Sequence, residues 1–246
     1  MNPANSSSSS QLEFTPDEMR RLGHAVVDAL VERAEGLRAG APWMGGSRVE
    51  LEDLLREPCP EEPIDPDTVL RRARLDILPR AGRIDHPRFF AFVPSSPTWG
   101  SILGEMLATG YNIFQGTWLE SAGPSQIELV VLDWFREWLE MPAAASGLFT
   151  SGGSAANLIA IVAAREAQGH PERPSVYMSE QSHSSIERAC RIAGFRPRDL
   201  QKVACGPDYR LDLADLERRV AADRAAGRTP VLVAVNAGAT NTGIVD

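Results

Sequence analysis

Lysine is almost missing from this chain of 246 residues: among 25 basic side chains, only Lys202 is a lysine. Chemistry that needs a lysine amine therefore has one candidate, since an arginine guanidinium stays protonated. Cysteine is scarce too. Cys59, Cys190 and Cys205 have neither metal-ligand spacing nor a pairing framework. That excludes a disulfide scaffold and a thiolate metal site, and leaves three reduced thiols, buried or inert, in a cytoplasmic protein. The formal charge is −8 and no basic tract interrupts it, so nucleic acid is not an expected partner. No apolar run approaches the ~18 residues that suggest a membrane span. No basic segment followed by an apolar core opens the chain, so no secretion signal is expected.

What is present reads as a globular α/β chain. Hydrophobic residues make up 43%, enough for a core of useful size. Residues 1–14 include five serines at 6–10 and bury no apolar surface, which predicts a disordered tail. Residues 15–85 read as a helical segment. Thr15-Pro16-Asp17-Glu18 forms a helix start with a capping box, and Leu22, Val26, Leu30 and Val31 give one apolar face. Residues 38–66 read as an irregular connection, rich in Gly, Pro and acidic residues. Short helices are expected at 49–56 and 66–77.

From His86 the texture changes. A proline-bounded aromatic stretch, His86-Pro87-Arg88-Phe89-Phe90-Ala91-Phe92-Val93-Pro94, precedes an expected helix at 98–109. Ile127, Val130, Val131, Trp134, Phe135 and Trp138 then mark an amphipathic helix over 124–139. Beyond it, strands expected at 148–150, 175–178, 201–204 and 231–235 alternate with helices at 154–168, 183–193 and 213–226. This alternation predicts a parallel sheet covered on both faces.

Three polar corners follow those strands, where parallel sheets bind ligands. Thr150-Ser151-Gly152-Gly153-Ser154-Ala155-Ala156-Asn157 opens a helix. Its glycines allow close approach of an anion, and a helix N-terminus offers unpaired N–H groups and partial positive charge. The turn is neither a P-loop nor a dinucleotide fingerprint. An ordinary glycine turn capping a helix accounts for it equally well. Ser182-His183-Ser184-Ser185 occupies the next corner. The imidazole of His183 can stack on a planar cofactor and move a proton, or the segment can simply start a helix with Ser182 as N-cap. His24, His86 and His170 are weaker candidates. Asn236-Ala237-Gly238-Ala239-Thr240-Asn241-Thr242-Gly243 forms the third corner.

Taken together, the His86–Phe92 stretch, the Thr150–Asn157 turn, Ser182-His183-Ser184-Ser185-Ile186-Glu187-Arg188-Ala189 and Ala237-Gly238-Ala239-Thr240-Asn241-Thr242-Gly243 resemble the pyridoxal-phosphate-dependent group II decarboxylases. The aromatic L-amino-acid decarboxylase branch is the nearest, over residues 15–246. The resemblance implies a type I pyridoxal-phosphate-dependent transferase fold, aminotransferase-like, with residues 86–246 as the first part of the large cofactor-binding α/β domain. It implies a homodimer, with the helices of residues 15–77 packed across the partner. The expected reaction converts an aromatic L-amino acid to its amine and CO₂. Gly153 and Ser154 are expected to hold the phosphate of pyridoxal 5′-phosphate. His183 is expected to stack on the ring as the catalytic residue, and Thr240 to lie beside it. Phe92, Pro94 and Ser95 are expected to line the substrate pocket, a mostly apolar wall that suits an aromatic amino acid.

The departures carry equal weight. In the family, the acid that faces the pyridine nitrogen and the lysine that forms the Schiff base both lie beyond the position matched by Asp246. Asp246 itself matches a surface turn. Lys202 enters a strand between two helices, the wrong place for the Schiff base, so none of these residues is expected to supply it. The expectation is an N-terminal portion, without the rest of the large domain and the C-terminal small domain. Two further readings stand beside decarboxylation: a non-catalytic module that dimerises or binds the cofactor, and another reaction on the same cofactor, such as aldehyde synthesis or transamination.

Overall fold

The computed structural model describes residues 13–246. The expected tail lies outside the described residues except for Glu13 and Phe14. The chain divides into two compact units, one ending at Ile102 and one running from Leu103 to Asp246.

In the first unit, α1 spans Pro16–Gly36, α2 Arg48–Leu55 and α3 Pro66–Arg72. The capping box expected at α1 is formed: the Thr15 hydroxyl accepts the Glu18 N–H, and the Glu18 carboxylate accepts the Thr15 N–H at 2.8 Å. Helix α3 runs into a single π-helical turn, Ala73–Ile77. Arg21 pairs with Asp67 at 2.7 Å, and Arg33 grips Asp85 through two bonds of 2.7 Å. His86 is a structural histidine. Its Nδ1 accepts the Arg88 N–H, so its Nε2 donates to the Gly40 carbonyl at 3.2 Å. No residue of α1, α2 or α3 is buried, and Val26 and Val31 of the apolar stripe stay exposed.

Helix α4, Trp99–Tyr111, bridges into the second unit, which continues with α5, Trp118–Trp138. Helix α5 begins earlier than its proline suggests. Thr117 caps it, Ser121 breaks the helical dihedrals, and Pro124 then sits in the first turn after the kink, where its missing N–H is not needed. The strand expected at 148–150 is not formed: the Phe149 N–H donates to the Glu128 carboxylate at 2.8 Å instead of to a neighbouring strand.

Helix α6, Gly153–Ala167, leads into β1, Pro174–Ser179; α7, Ser184–Ile192; β2, Leu200–Val203; α8, Leu213–Ala225; and β3, Thr229–Ala234. The three strands are parallel in the order β2-β1-β3. All of β1 is buried, and its alternation divides the core. Val176 and Met178 pack with Ile161, Ala189, Cys190, Phe195 and Val231 on the side of α6 and α7, whereas Tyr177 packs with Val203, Leu211, Leu216 and Val220 on the side of α8. Each fully buried Val, Ile, Met or Phe among them contributes roughly 1.5–3 kcal/mol. The sheet is thus covered on both faces, as expected. Pro230 carries no N–H, and the register slips beside it: Ser175 pairs with Pro230 but Val176 with Leu232.

The amino ends of β1 and β3 are tied by Arg228. Its Nε donates to Ser175 Oγ at 2.7 Å, and its Nη2 donates to Asp199 Oδ1 at 3.2 Å and to the Pro174 carbonyl. Burial would raise the Asp199 carboxyl, but bonds from Arg196 and Arg228 outweigh it and hold it below the usual carboxylate range. Of the thiols, Cys190 is buried, Cys205 is intermediate and Cys59 is exposed, in the stretch between α2 and α3.

Candidate functional site

Strand order sets the site's location. The chain leaves β1 through α7 to reach β2, then crosses back over β1 through α8 to reach β3. The two connections cover opposite faces, so the carboxyl end of β1 is the switch point at which an open parallel sheet holds ligands. Two of the three polar corners leave from this edge, since Met178 pairs with Ala234 and the ends of β1 and β3 are level.

The first corner is a tight turn after β1. The Gln181 N–H donates to Ser179 Oγ at 3.0 Å, and the Ser182 N–H to the Ser179 carbonyl at 3.0 Å. The turn delivers His183, whose ring is exposed, to the start of α7. His183 itself is the N-cap, not Ser182. Its Nδ1 accepts the Ser185 N–H at 3.3 Å and lies 2.8 Å from Ser185 Oγ. Ser182 Oγ is buried without a hydrogen-bond partner among the described residues.

The second corner is the Ser151–Ser154 turn. Gly152 has φ 157° and ψ 169°, a conformation that side-chain-bearing residues rarely adopt. Thr150 Oγ1 donates to the Gly152 carbonyl at 3.1 Å, and that carbonyl also accepts the N–H groups of Ala155 and Ala156. Helices α1, α2, α3, α5, α7 and α8 start with a side-chain cap; α6 has none. Nothing lies within 4 Å of where a Cβ would stand at Gly152 or Gly153. An uncapped helix N-terminus with open space before two glycines fits a phosphate. The orphaned Ser182 hydroxyl adds an unused polar atom at the neighbouring corner. The residues present therefore fit a cofactor that carries a phosphate.

The third corner, after β3, carries the exposed Thr240. Its loop is closed by the Ala239 N–H on the Ile244 carbonyl at 2.8 Å and the Gly243 N–H on the Ala239 carbonyl at 2.7 Å. Helix α6 packs against both α7 and β3, so the helix of the glycine turn is braced by the elements that carry His183 and Thr240.

One bond joins the first two corners directly: Asn157 Nδ2 donates to Ser185 Oγ at 2.9 Å. Neither residue received a role from the sequence alone. Asn157 was visible as the last residue of the glycine turn motif, one helical turn beyond Gly153, but nothing in the sequence named its partner.

Phe92, Pro94 and Ser95 belong to the first unit and are exposed, in a stretch without helix or strand. Phe92 adopts φ 62°, an outlier for a bulky side chain that marks stored strain. Its ring lies 6.4 Å from Phe89, which stacks on Trp43. Lys202 is exposed on β2 and pairs with Glu187 of α7 at 3.3 Å. Among the described residues, no group of His, Cys, Asp and Glu is arranged to hold a metal ion, and no helix is long and apolar enough to cross a membrane.

This geometry coincides with a known family. Residues 49–246 match the pyridoxal-dependent decarboxylase conserved domain, and the chain belongs to that family. Its members are pyridoxal-dependent lyases. The chain is 34% identical over 240 residues to an aromatic-L-amino-acid decarboxylase of Bacillus atrophaeus, with 97% of this chain and 50% of that protein covered. It is 30% identical over 250 residues to a phenylacetaldehyde synthase of Petunia hybrida, covering 94% of this chain and 48% of that protein. Among solved structures, Oryza sativa TDC with PLP and tryptamine superposes with a TM-score of 0.88 at 29% identity, covering 95% of this chain and 52% of that one. Catharanthus roseus tryptophan decarboxylase in complex with L-tryptophan gives 0.88 at 26% identity, again over 95% and 52%. The fold is therefore that of the type I pyridoxal-phosphate enzymes, represented here by a partial sheet. The chain spans about half the length of the curated relatives it matches.

Proposed function

We propose that these residues form the phosphate- and ring-holding part of an enzyme that decarboxylates an aromatic L-amino acid to its amine with pyridoxal phosphate. One observation carries the reading: the uncapped start of α6 is joined to the histidine corner through Asn157 and Ser185. The similarity to aromatic-amino-acid decarboxylases supports the substrate class.

The N–H groups of Gly153 and Ser154, with the Ser154 hydroxyl, take the phosphate at the positive end of the α6 dipole. His183 offers its exposed ring as a stacking surface and holds a proton on the nitrogen not engaged by Ser185. Thr240 flanks the ring from the adjacent strand end. Bound pyridoxal phosphate supplies the electron sink for the pair left when the α-carboxylate departs as CO₂. The protein acts as a homodimer, a reading supported by the apolar stripe of α1, none of which is buried.

The test is a cofactor titration with Ser154→Ala in the full gene product, followed by absorbance. Loss of one charge-assisted bond should weaken binding by roughly tenfold or more. Unchanged affinity removes the phosphate role. Release of CO₂ and amine from tyrosine, tryptophan or dihydroxyphenylalanine tests the reaction, and aldehyde in place of amine would move the assignment to aldehyde synthesis, the activity named for the Petunia hybrida relative. A second reading rests on Lys202, the one lysine of the sequence, which is exposed on β2 in an ion pair with Glu187 rather than in any of the three corners. By themselves they bind the cofactor without a covalent link.

A further inference from the structure

We infer that Asn157 is a positioning residue that acts through Ser185 to hold His183 as the imidazole tautomer with its proton on Nε2. The inference deepens the proposed role of His183 and rests on it for its functional meaning, but the geometry stands without any cofactor.

The direction of the hydrogen bonds is forced from one end. The Ser185 backbone N–H is always a donor, and as one of the first amides of α7 it has no intrahelical acceptor. It meets His183 Nδ1 at 3.3 Å, so Nδ1 presents its lone pair. The contact between Ser185 Oγ and the same Nδ1, at 2.8 Å, then requires the hydroxyl to donate as well. That leaves the lone pairs of Ser185 Oγ to accept, and Asn157 Nδ2 donates to them at 2.9 Å. Ser185 is 2% exposed, so water does not compete for its hydroxyl. The chain of donors therefore runs from Asn157 to Ser185 to His183, and the imidazole hydrogen sits on Nε2.

Two consequences follow. The nitrogen of His183 left for a ligand is a donor, suited to an acceptor oxygen. The orientation of the ring is also set from α6, the helix whose first turn is proposed to hold the phosphate, so cofactor anchoring and histidine orientation share one rigid element. This is the arrangement by which a second group fixes the tautomer of a functional histidine.

The test is the tautomer of His183 in the full chain, read by long-range ¹H–¹⁵N correlation of the imidazole nitrogens and assigned with His183→Gln. Wild type should give the Nε2–H form. Asn157→Asp replaces the donor with an acceptor of the same shape. Ser185 should then turn its hydroxyl hydrogen to the carboxylate, and the ratio of Nδ1–H to Nε2–H should rise roughly tenfold, the worth of one hydrogen bond. Ser185→Ala, which adds no charge, should raise the ratio by a smaller factor. Ser185→Thr keeps the hydroxyl and should keep the wild-type ratio. An Nδ1–H form in wild type, or a wild-type ratio in Ser185→Ala, overturns the inference. Failure of wild type to bind pyridoxal phosphate would instead remove the proposed function and leave the tautomer result intact.

Discussion

Asp246 clasps Asn236 across the loop that carries Thr240: one carboxylate oxygen accepts the Asn236 N–H at 2.8 Å and its Nδ2 at 2.7 Å. The other oxygen accepts the Leu211 N–H at 2.9 Å. A single side chain thus closes the third corner and ties it to the connection between β2 and α8. Asp246→Ala should leave these donors without their acceptor and lower stability by about 1–3 kcal/mol, measured by urea unfolding. A midpoint equal to wild type would show that the clasp is not energetically coupled to the fold.

Gly152 and Gly153 should respond oppositely to alanine. Gly152 needs a φ of 157°, so Gly152→Ala should cost about 1–3 kcal/mol. Gly153 lies within helix α6 with open space where a Cβ would stand. Gly153→Ala should therefore keep or slightly raise stability, by up to about 1 kcal/mol from helix propensity, while weakening pyridoxal phosphate binding because the methyl enters the approach to the turn. Parallel urea and cofactor titrations check both. Unweakened binding by Gly153→Ala would place the phosphate elsewhere.

Alkali should destabilise the second unit in a defined window. Burial, reinforced by the hydrogen bond to Asp223, pushes the Tyr177 phenol up from 10.0 to about 12. Burial, with the nearby Glu187, pushes the Cys190 thiol up from 9.0 to about 11. The folded state keeps these protons where the unfolded chain has lost them, so stability is complete below about pH 9 and falls as pH rises toward about 12. The Tyr177 share is about 3 kcal/mol at most. Tyr177→Phe should flatten the upper part of that slope in urea midpoints taken across the range. An identical slope would assign the loss to other groups.

Lys202 should remain unmodified when the chain is mixed with pyridoxal phosphate and reduced with borohydride. It is exposed on β2 and its ammonium is paired with Glu187 of α7. Peptide mapping with a pyridoxyl group on Lys202 as the major product would contradict this.

Much of this was legible in the sequence because it is local. The Thr15–Glu18 capping box, the helix after Ser151-Gly152-Gly153-Ser154 and the alternation from α6 to β3 each depend on neighbours a few residues apart, and they appear where expected. The misreadings have local sense but non-local causes. Residues 148–150 resemble a strand, yet Phe149 finds its acceptor in Glu128, more than twenty residues earlier. Ser182 has the chemistry of an N-cap, but the turn fixed by Ser179 brings His183 to that position instead.

By itself the sequence determined the classes of element, the glycine turn, the histidine corner and the scarcity of amines. Periodicity, backbone freedom and residue chemistry are properties of short segments. Only the tertiary structure decided that α6 and α7 meet with Asn157 against Ser185, that Ser185 faces Nδ1 of His183, and that Asp246 closes the Thr240 loop. The Asn157–Ser185 and Asn236–Asp246 bonds join residues 28 and 10 positions apart, and the first of these partners is selected by how α6 and α7 pack on β1, which no local pattern encodes.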